Sequence, residues 1–231
     1  LDREGWPEEA LELVWKTPDR ANAAAPVKRL PQIPGVKAFA SIGWGMMAPV
    51  QPDPPFFLAF KNGSLAAAHT HLDLNHVSVA VGDTMVLPDL GSRPYPADYF
   101  DSKKRNLYYE ISTAGHNTVL VGGKGQVPGR PGALKGPFEG ERFSALVGVA
   151  DDAYEVKTPR ARRHVVFVDT SYDVRLEEIE TAGPAPVELR LHSYGTIAPR
   201  AEGGWTVSES KAGIDIAPAL GEGALAGAVE T

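Results

Sequence analysis

Short apolar runs separated by glycine, proline and polar clusters recur along most of the chain, the rhythm of strands and turns rather than of helices. The clearest case is Val77-Ser78-Val79-Ala80-Val81, then Gly82-Asp83, then Thr84-Met85-Val86-Leu87, which predicts a hairpin closed by a two-residue turn. If Val81 pairs with Thr84, counting back along both strands sets His76 opposite Asp89. Further strands are predicted over Val36 to Trp44, Phe56 to Lys61, Tyr108 to Ser112 and Thr118 to Val121. A later run at meander spacing covers Ser144 to Val149, Tyr154 to Lys157, Arg163 to Val168, Ser171 to Glu178, Val187 to His192 and Gly204 to Val207. Pro7 to Lys16 differs: proline and acids in a first turn and lysine in the last predict one short helix. It either packs on the sheet or is the last piece of a helical domain.

Composition narrows the class. With 231 residues and 43% hydrophobic content the chain can bury a sizeable core, and its 20 prolines and 24 glycines suit many turns, so the expected class is all-β. A net charge of −6 gives no global attraction to nucleic acid or to an anionic membrane, so an anionic ligand needs a local basic patch. The absence of cysteine excludes disulfides and thiolate metal sites, while leaving the compartment open. No apolar run is long enough to span a membrane as a helix, and no signal peptide is present in this chain. Because the chain starts at Leu1 rather than methionine, upstream sequence is expected to have been removed.

The candidate chemistry lies around His69-Thr70-His71-Leu72-Asp73-Leu74-Asn75-His76, which holds three of the six histidines. Strict alternation would put His69 and His71 on the opposite face from Asp89. An irregular approach to the strand, with a bend near Asn75, would let the side chains converge. His71, Asp89 and His116 would then offer two nitrogens and one oxygen, suitable for Zn²⁺ with one further position, and His69 would be free for acid-base work. The competing reading is a set of hydrogen-bonded structural histidines. His164 and His192, each alone among strand residues, read as structural, and His76 as a neighbour of the ligands rather than one of them. Asp73 could orient a histidine or cap a turn. Gly91 to Arg105 is too long for a plain turn and carries Arg93, Tyr95 and Tyr99 close behind Asp89. The glycine-rich stretch from Gly122 to Gly136 lacks the P-loop pattern.

His69-Thr70-His71-Leu72-Asp73, then Val86-Leu87-Pro88-Asp89-Leu90-Gly91, then Tyr95, then Gly115-His116-Asn117-Thr118-Val119-Leu120-Val121 through Gln126 together resemble the heparinase II/III family of polysaccharide lyases. Agreement is closest over residues 57 to 126 and weaker from Arg160 to His192. The resemblance implies a two-layer antiparallel β-sandwich over residues 35 to 231, with residues 1 to 34 as the end of an (α/α) toroid domain and a linker. It also implies an active site between the two domains, β-elimination on a uronate-containing acidic polysaccharide or oligosaccharide, and a periplasmic or secreted location. By the resemblance His69 is the active-site histidine, His71, Asp89 and His116 hold a mainly structural Zn²⁺ or similar divalent ion, and Arg93, Tyr95 and Tyr99 reach the substrate. The tyrosine that moves protons would come from the upstream helical domain. This chain departs from the family pattern at Leu90, where proline is frequent, and at Val174, where an aspartate is common before Arg-Leu. The alternatives are a cupin-like metal-dependent enzyme, which His-x-His suggests but Asn75 and His76 at the expected glutamate positions oppose, and a non-catalytic carbohydrate-binding module.

Overall fold

The computed structural model describes residues 34–49, 55–91, 94–168 and 172–218. The helix expected over Pro7 to Lys16 lies outside the described residues. The rest is all-β. One antiparallel sheet runs in the order β1 (Pro34–Phe39), β2 (Trp44–Pro49), β3 (Phe56–Lys61), β4 (His76–Val81) and β5 (Thr84–Leu87). A second is ordered β10 (Tyr172–Glu180), β9 (Arg160–Val168), β8 (Phe143–Val149) and β7 (Ala133–Glu139). Two small sheets complete it: β6 (Val119–Val121) with β11 (Val187–Leu189), and β12 (Thr196–Pro199), β13 (Trp205–Glu209) and β14 (Ala212–Ile216).

Period-two patterning explains the layering. Leu58, Phe60, Val77 and Val79 from the first sheet share one buried cluster with Leu146, Val165 and Phe167 from the second, which makes the antiparallel sandwich. A second buried cluster gathers Leu72 and Leu74, from the chain before β4, with Val119 and Val121 of β6 and Ala161 of β9. Both segments that carry the site histidines therefore rest on common apolar ground.

Three expected strands differ. Val36 to Trp44 is two strands, because residues 40–43 turn back: Ile42 N–H donates to Phe39 O at 3.1 Å and Gly43 takes a φ of +71°. A side chain at Gly43 would collide with the backbone of Gly63. Tyr108 to Ser112 is a set of turns whose amides bond locally, Ile111 and Ser112 both donating to Tyr108 O. Tyr154 makes an isolated bridge to Gln126, and Tyr154 to Lys157 forms no strand.

The hairpin turns where expected, with Val81 opposite Thr84, but a bulge shifts the register: Ala80 pairs with Met85 and Val79 with Leu87. Val86 is the extra residue, and both it and Leu87 are buried in the sandwich core. Counting onward no longer sets His76 against Asp89. The strand instead leaves the ladder at Pro88, which has no N–H to donate, and the chain bends so that Asp89 Oδ2 still comes within 3.9 Å of His76 Nε2.

The least expected core residue is Arg163, fully buried in β9 at a position whose alternation with Ala161, Val165 and Phe167 points inward. Its Nη1 donates to Asn75 O at 2.5 Å and to Asn117 O at 2.6 Å, and its Nε donates to Glu177 Oε1 at 2.5 Å. Gly148, opposite Arg163 on β8, leaves the space that the Asn75 and Asn62 amides fill. Arg163→Met is expected to cost about 3–5 kcal/mol by urea denaturation, the range for stranding one partner of a buried ion pair. Arg160→Ala, at a half-exposed pair with Glu178, should cost no more than about 1 kcal/mol.

Candidate metal centre

Two loops build the site. The first, residues 69–76, runs from an exposed corner into β4. His69 sits at that corner with φ +62° and Asn75 bends the chain at +64°, left-handed conformations that cost a non-glycine residue energy and need outside support. Support is on hand at both. Asn62 Nδ2 donates to Asn75 Oδ1 at 2.5 Å, Thr118 Oγ1 and Gln126 Nε2 donate to Leu74 O, and Arg105 Nη2 donates to Thr70 O at 3.0 Å. The second loop, residues 113–118, leads into β6. Buried Asn117 fixes it, its Nδ2 donating to Val77 O and Pro88 O at 2.9 Å each. The bend at Asn75 defeats strict strand alternation and brings the side chains to one place.

His71 Nδ1 lies 3.2 Å from His116 Nε2, and His116 Nε2 lies 3.9 Å from both Asp89 Oδ2 and Asp73 Oδ2. One donor atom from each of His71, Asp73, Asp89 and His116 falls within 4.8 Å of the others. Donors about 2.0–2.2 Å from a tetrahedral ion stand about 3.3–3.6 Å apart, so these separations bracket what zinc requires. The donor chemistry fits as well. Burial lowers the pKa of His71 and His116, favouring neutral imidazoles with lone pairs to offer. Burial works against the charged form of Asp89, but His116, the Gly91 amide and His76 together hold its carboxyl below the usual range. Gly91 N–H donates to Asp89 Oδ1 at 3.0 Å, leaving Oδ2 for the centre.

His76 is close but already committed. Its Nδ1 accepts the Asn117 N–H at 3.0 Å, so the proton sits on Nε2, which donates to Ser78 Oγ at 2.9 Å. No ring nitrogen remains for a metal.

The other candidate residues separate from this group. His69 is exposed, its ring edge-on to Phe100 at 4.9 Å, and it contributes no atom to the donor cluster. Tyr95 is 59% exposed and stacks on Tyr99 at 4.4 Å. Tyr99 itself is only 2% exposed, covered by Tyr95, Phe100 and Tyr108, so its ring offers no open face and supports Tyr95 from below. Arg93 lies outside the described residues. His164 faces Glu178 on the outer side of β9, at 3.3 Å. His192 is bound into the second loop, its Nδ1 3.0 Å from Asn117 Oδ1 and its Nε2 3.0 Å from Tyr109 Oη. Asp73 was expected to orient a histidine or cap a turn. Its carbonyl accepts the His76 N–H at 3.1 Å, and its side chain pairs with Lys61 and offers an oxygen to the donor group.

Fold and site together describe a β-sandwich with a partly buried His-Asp cluster beside an exposed histidine and aromatic residues. The chain belongs to the heparinase II/III-like, C-terminal family, whose model matches residues 31–226. Two solved structures share its fold. Heparinase III, the BT4657 gene product, is 22% identical with a TM-score of 0.63, over 75% of this chain and 26% of that one. Heparan sulfate lyase HepC from Pedobacter heparinus is 15% identical with a TM-score of 0.62, over 75% and 27%. This chain thus spans about a quarter of the length of those proteins. No curated protein matches it. The family match replaces the cupin-like alternative.

The buried histidines set a pH dependence. The His76 pKa is pushed down to about 3, first by burial and then by His116, and His71 and His116 are lowered too. A group with a depressed folded-state pKa contributes stability that is complete above its unfolded value and is lost as pH falls toward the folded value. Metal-free protein should therefore hold a constant melting temperature above about pH 6.5 and lose it steadily on acidification. His76→Gln should flatten that limb in scanning calorimetry; a limb as steep as in the parent would place the titration elsewhere.

Proposed function

We propose that this chain is the β-sandwich half of a polysaccharide lyase that cleaves a uronate-containing acidic polysaccharide or oligosaccharide by β-elimination. In this reading residues 35 to 231 are the sandwich domain and residues 1 to 34 the end of a helical domain and its linker. The protein works in the periplasm or outside the cell. The observation that carries the reading is the separation of one exposed histidine, His69, from a partly buried donor set that begins two residues further on, within a chain of this family.

The reaction needs the C5 proton removed, the adjoining carboxylate charge stabilised and the leaving oxygen protonated as the C4–O bond breaks and the C4=C5 bond forms. His69 is the group of this chain that meets the sugar, stabilising charge or moving a proton. Its partner in proton transfer is a tyrosine of the upstream helical domain. Tyr95, braced by buried Tyr99, offers a ring for stacking, and Arg93 a bidentate clamp for an acidic group. His71, Asp89 and His116 would hold the divalent ion, whose part would be structural, fixing the loop that begins at the His69 corner. A non-catalytic carbohydrate-binding role is the second reading, favoured by the exposure of Tyr95 and Phe100 together on one surface.

Turnover and zinc content measured side by side on the full-length protein test this, with alginate, heparan sulfate, hyaluronan and chondroitin as substrates and ultraviolet absorbance of unsaturated ends as the signal. His69→Ala should lower kcat by about 10² to 10⁴ and keep its zinc, whereas His71→Ala should lose zinc and activity together. Full turnover in His69→Ala, or zinc loss matching that of His71→Ala, would overturn the division of labour. Failure to cleave any of the four glycans would favour the binding module.

A further inference from the structure

β10 stands at the end of its sheet, with β9 on one side, and among the described residues no backbone group of Tyr172–Glu180 bonds outside that ladder. A free edge of this length is a template for another strand, and proteins blunt such edges with proline, lysine or a bulge. β10 has none of these. Its sequence is Tyr-Asp-Val-Arg-Leu-Glu-Glu-Ile-Glu, and its register with β9 runs unbroken through all nine pairs. Tyr172, Val174 and Leu176 alternate on the outer face of the sheet and are 55%, 43% and 59% exposed. On the inner face Arg175 Nε donates to Asp173 Oδ2 at 2.6 Å.

We propose that this edge pairs with the same edge of a second copy of the chain, antiparallel about a two-fold axis at Val174. The proposal does not depend on the lyase reading. Opposite residues of an antiparallel pair share a face, so a two-fold edge pairing centres on one residue of the strand, and the residue types decide which. Centred on Val174, Tyr172 meets Leu176 of the second copy and Leu176 meets its Tyr172 on the outer face, while Asp173 meets Arg175 and Arg175 meets Asp173 on the inner. Aromatic–aliphatic and opposite-charge pairs both favour cross-strand contact. The other centres match less well. Asp173, Arg175, Glu177 or Glu178 at the axis would face its own charge, Ile179 would set Glu178 against Glu180, and Leu176 would set Val174 and Tyr172 against Glu178 and Glu180. Charge on an edge ordinarily guards it against stray strands, but an acid and a base two residues apart form a pattern that the strand's own two-fold mate completes. Main-chain hydrogen bonds then join the two four-stranded sheets, and their apolar outer faces become continuous.

Sedimentation velocity on the 231-residue chain from about 1 to 500 µM should show a reversible dimer, the range in which a small interface associates. Amide exchange over Tyr172 to Leu176 should slow as dimer accumulates. Asp173→Arg and Arg175→Asp should each raise the dimer Kd at least about tenfold, because symmetry makes each substitution set like charges opposite one another twice. Mixed in equal amounts, the two variants should form a heterodimer in which every one of these charges faces its opposite. Tyr172→Glu, at an exposed position, should also weaken the dimer, and it keeps the test decisive if a charge variant fails to fold. A parent chain that stays monomeric over the whole range would overturn the proposal. So would a dimer whose β10 amides exchange as in the monomer, a Tyr172→Glu Kd equal to the parent's, or a mixture of folded charge variants that associates no better than either alone.

Discussion

A single buried guanidinium ties the site to the sandwich. Arg163 has no contact with solvent, and a buried cation without partners would cost several kcal/mol. Its partners are Glu177 on the neighbouring strand and the carbonyls of Asn75 and Asn117, one from each loop that carries metal-binding candidates. Both carbonyls belong to irregular loops, and Arg163 donates to each, while Asn117 O also accepts the Val77 N–H at 3.4 Å. Sheet, first loop and second loop are thereby fixed to one planar group. Loss of Arg163 leaves Glu177 and the Asn75 carbonyl without this donor, so the sheet and the first loop are coupled through one group.

On that support the chain sorts its histidines by burial. His116 lies inside and His71 partly so, where desolvation favours the neutral, lone-pair-bearing ring, and His76 beside them is tied to Asn117 and Ser78. His69 stands outside, at a strained corner next to Phe100. Alternation along an extended strand cannot produce this division over so few residues. The left-handed bend at Asn75 and the corner at His69 do. Binding energy at these donors would be folding energy for the loops that carry them.

Much of this was legible beforehand and some was not, for identifiable reasons. Apolar alternation and the Gly82-Asp83 turn located the hairpin, whereas the expected pairing runs on through Pro88 to Asp89, past the point where the ladder ends at Leu87. The bulge at Val86 carries no local signal, since Val86 and Leu87 are both apolar and either could face the core. Trp44 reads as part of the preceding strand because the turn at residues 40–43 depends on a glycine whose close approach to Gly63 is a tertiary contact. Tyr108 to Ser112 has strand-like composition, yet its amides find partners within the same turn. Tyr99 looked available for substrate by its place in the loop, and its burial under three aromatic neighbours is likewise a tertiary fact. Arg163 could have been noticed: in Ala161, Arg163, Val165, Phe167 a charge occupies a core-facing position, and such a charge needs buried acceptors. Asp73 was visible as a residue but not as a donor, because its role depends on the bend at Asn75.

The central claim is that the two loops held by Arg163 bring their donors to one ion. Crystals of the chain grown with zinc and measured on both sides of the zinc absorption edge test it most directly. The account predicts one anomalous peak, with His71 Nδ1, His116 Nε2 and an Asp89 oxygen each about 2.0–2.2 Å from it. A peak held by other residues, or none while those three side chains keep their places, would contradict it.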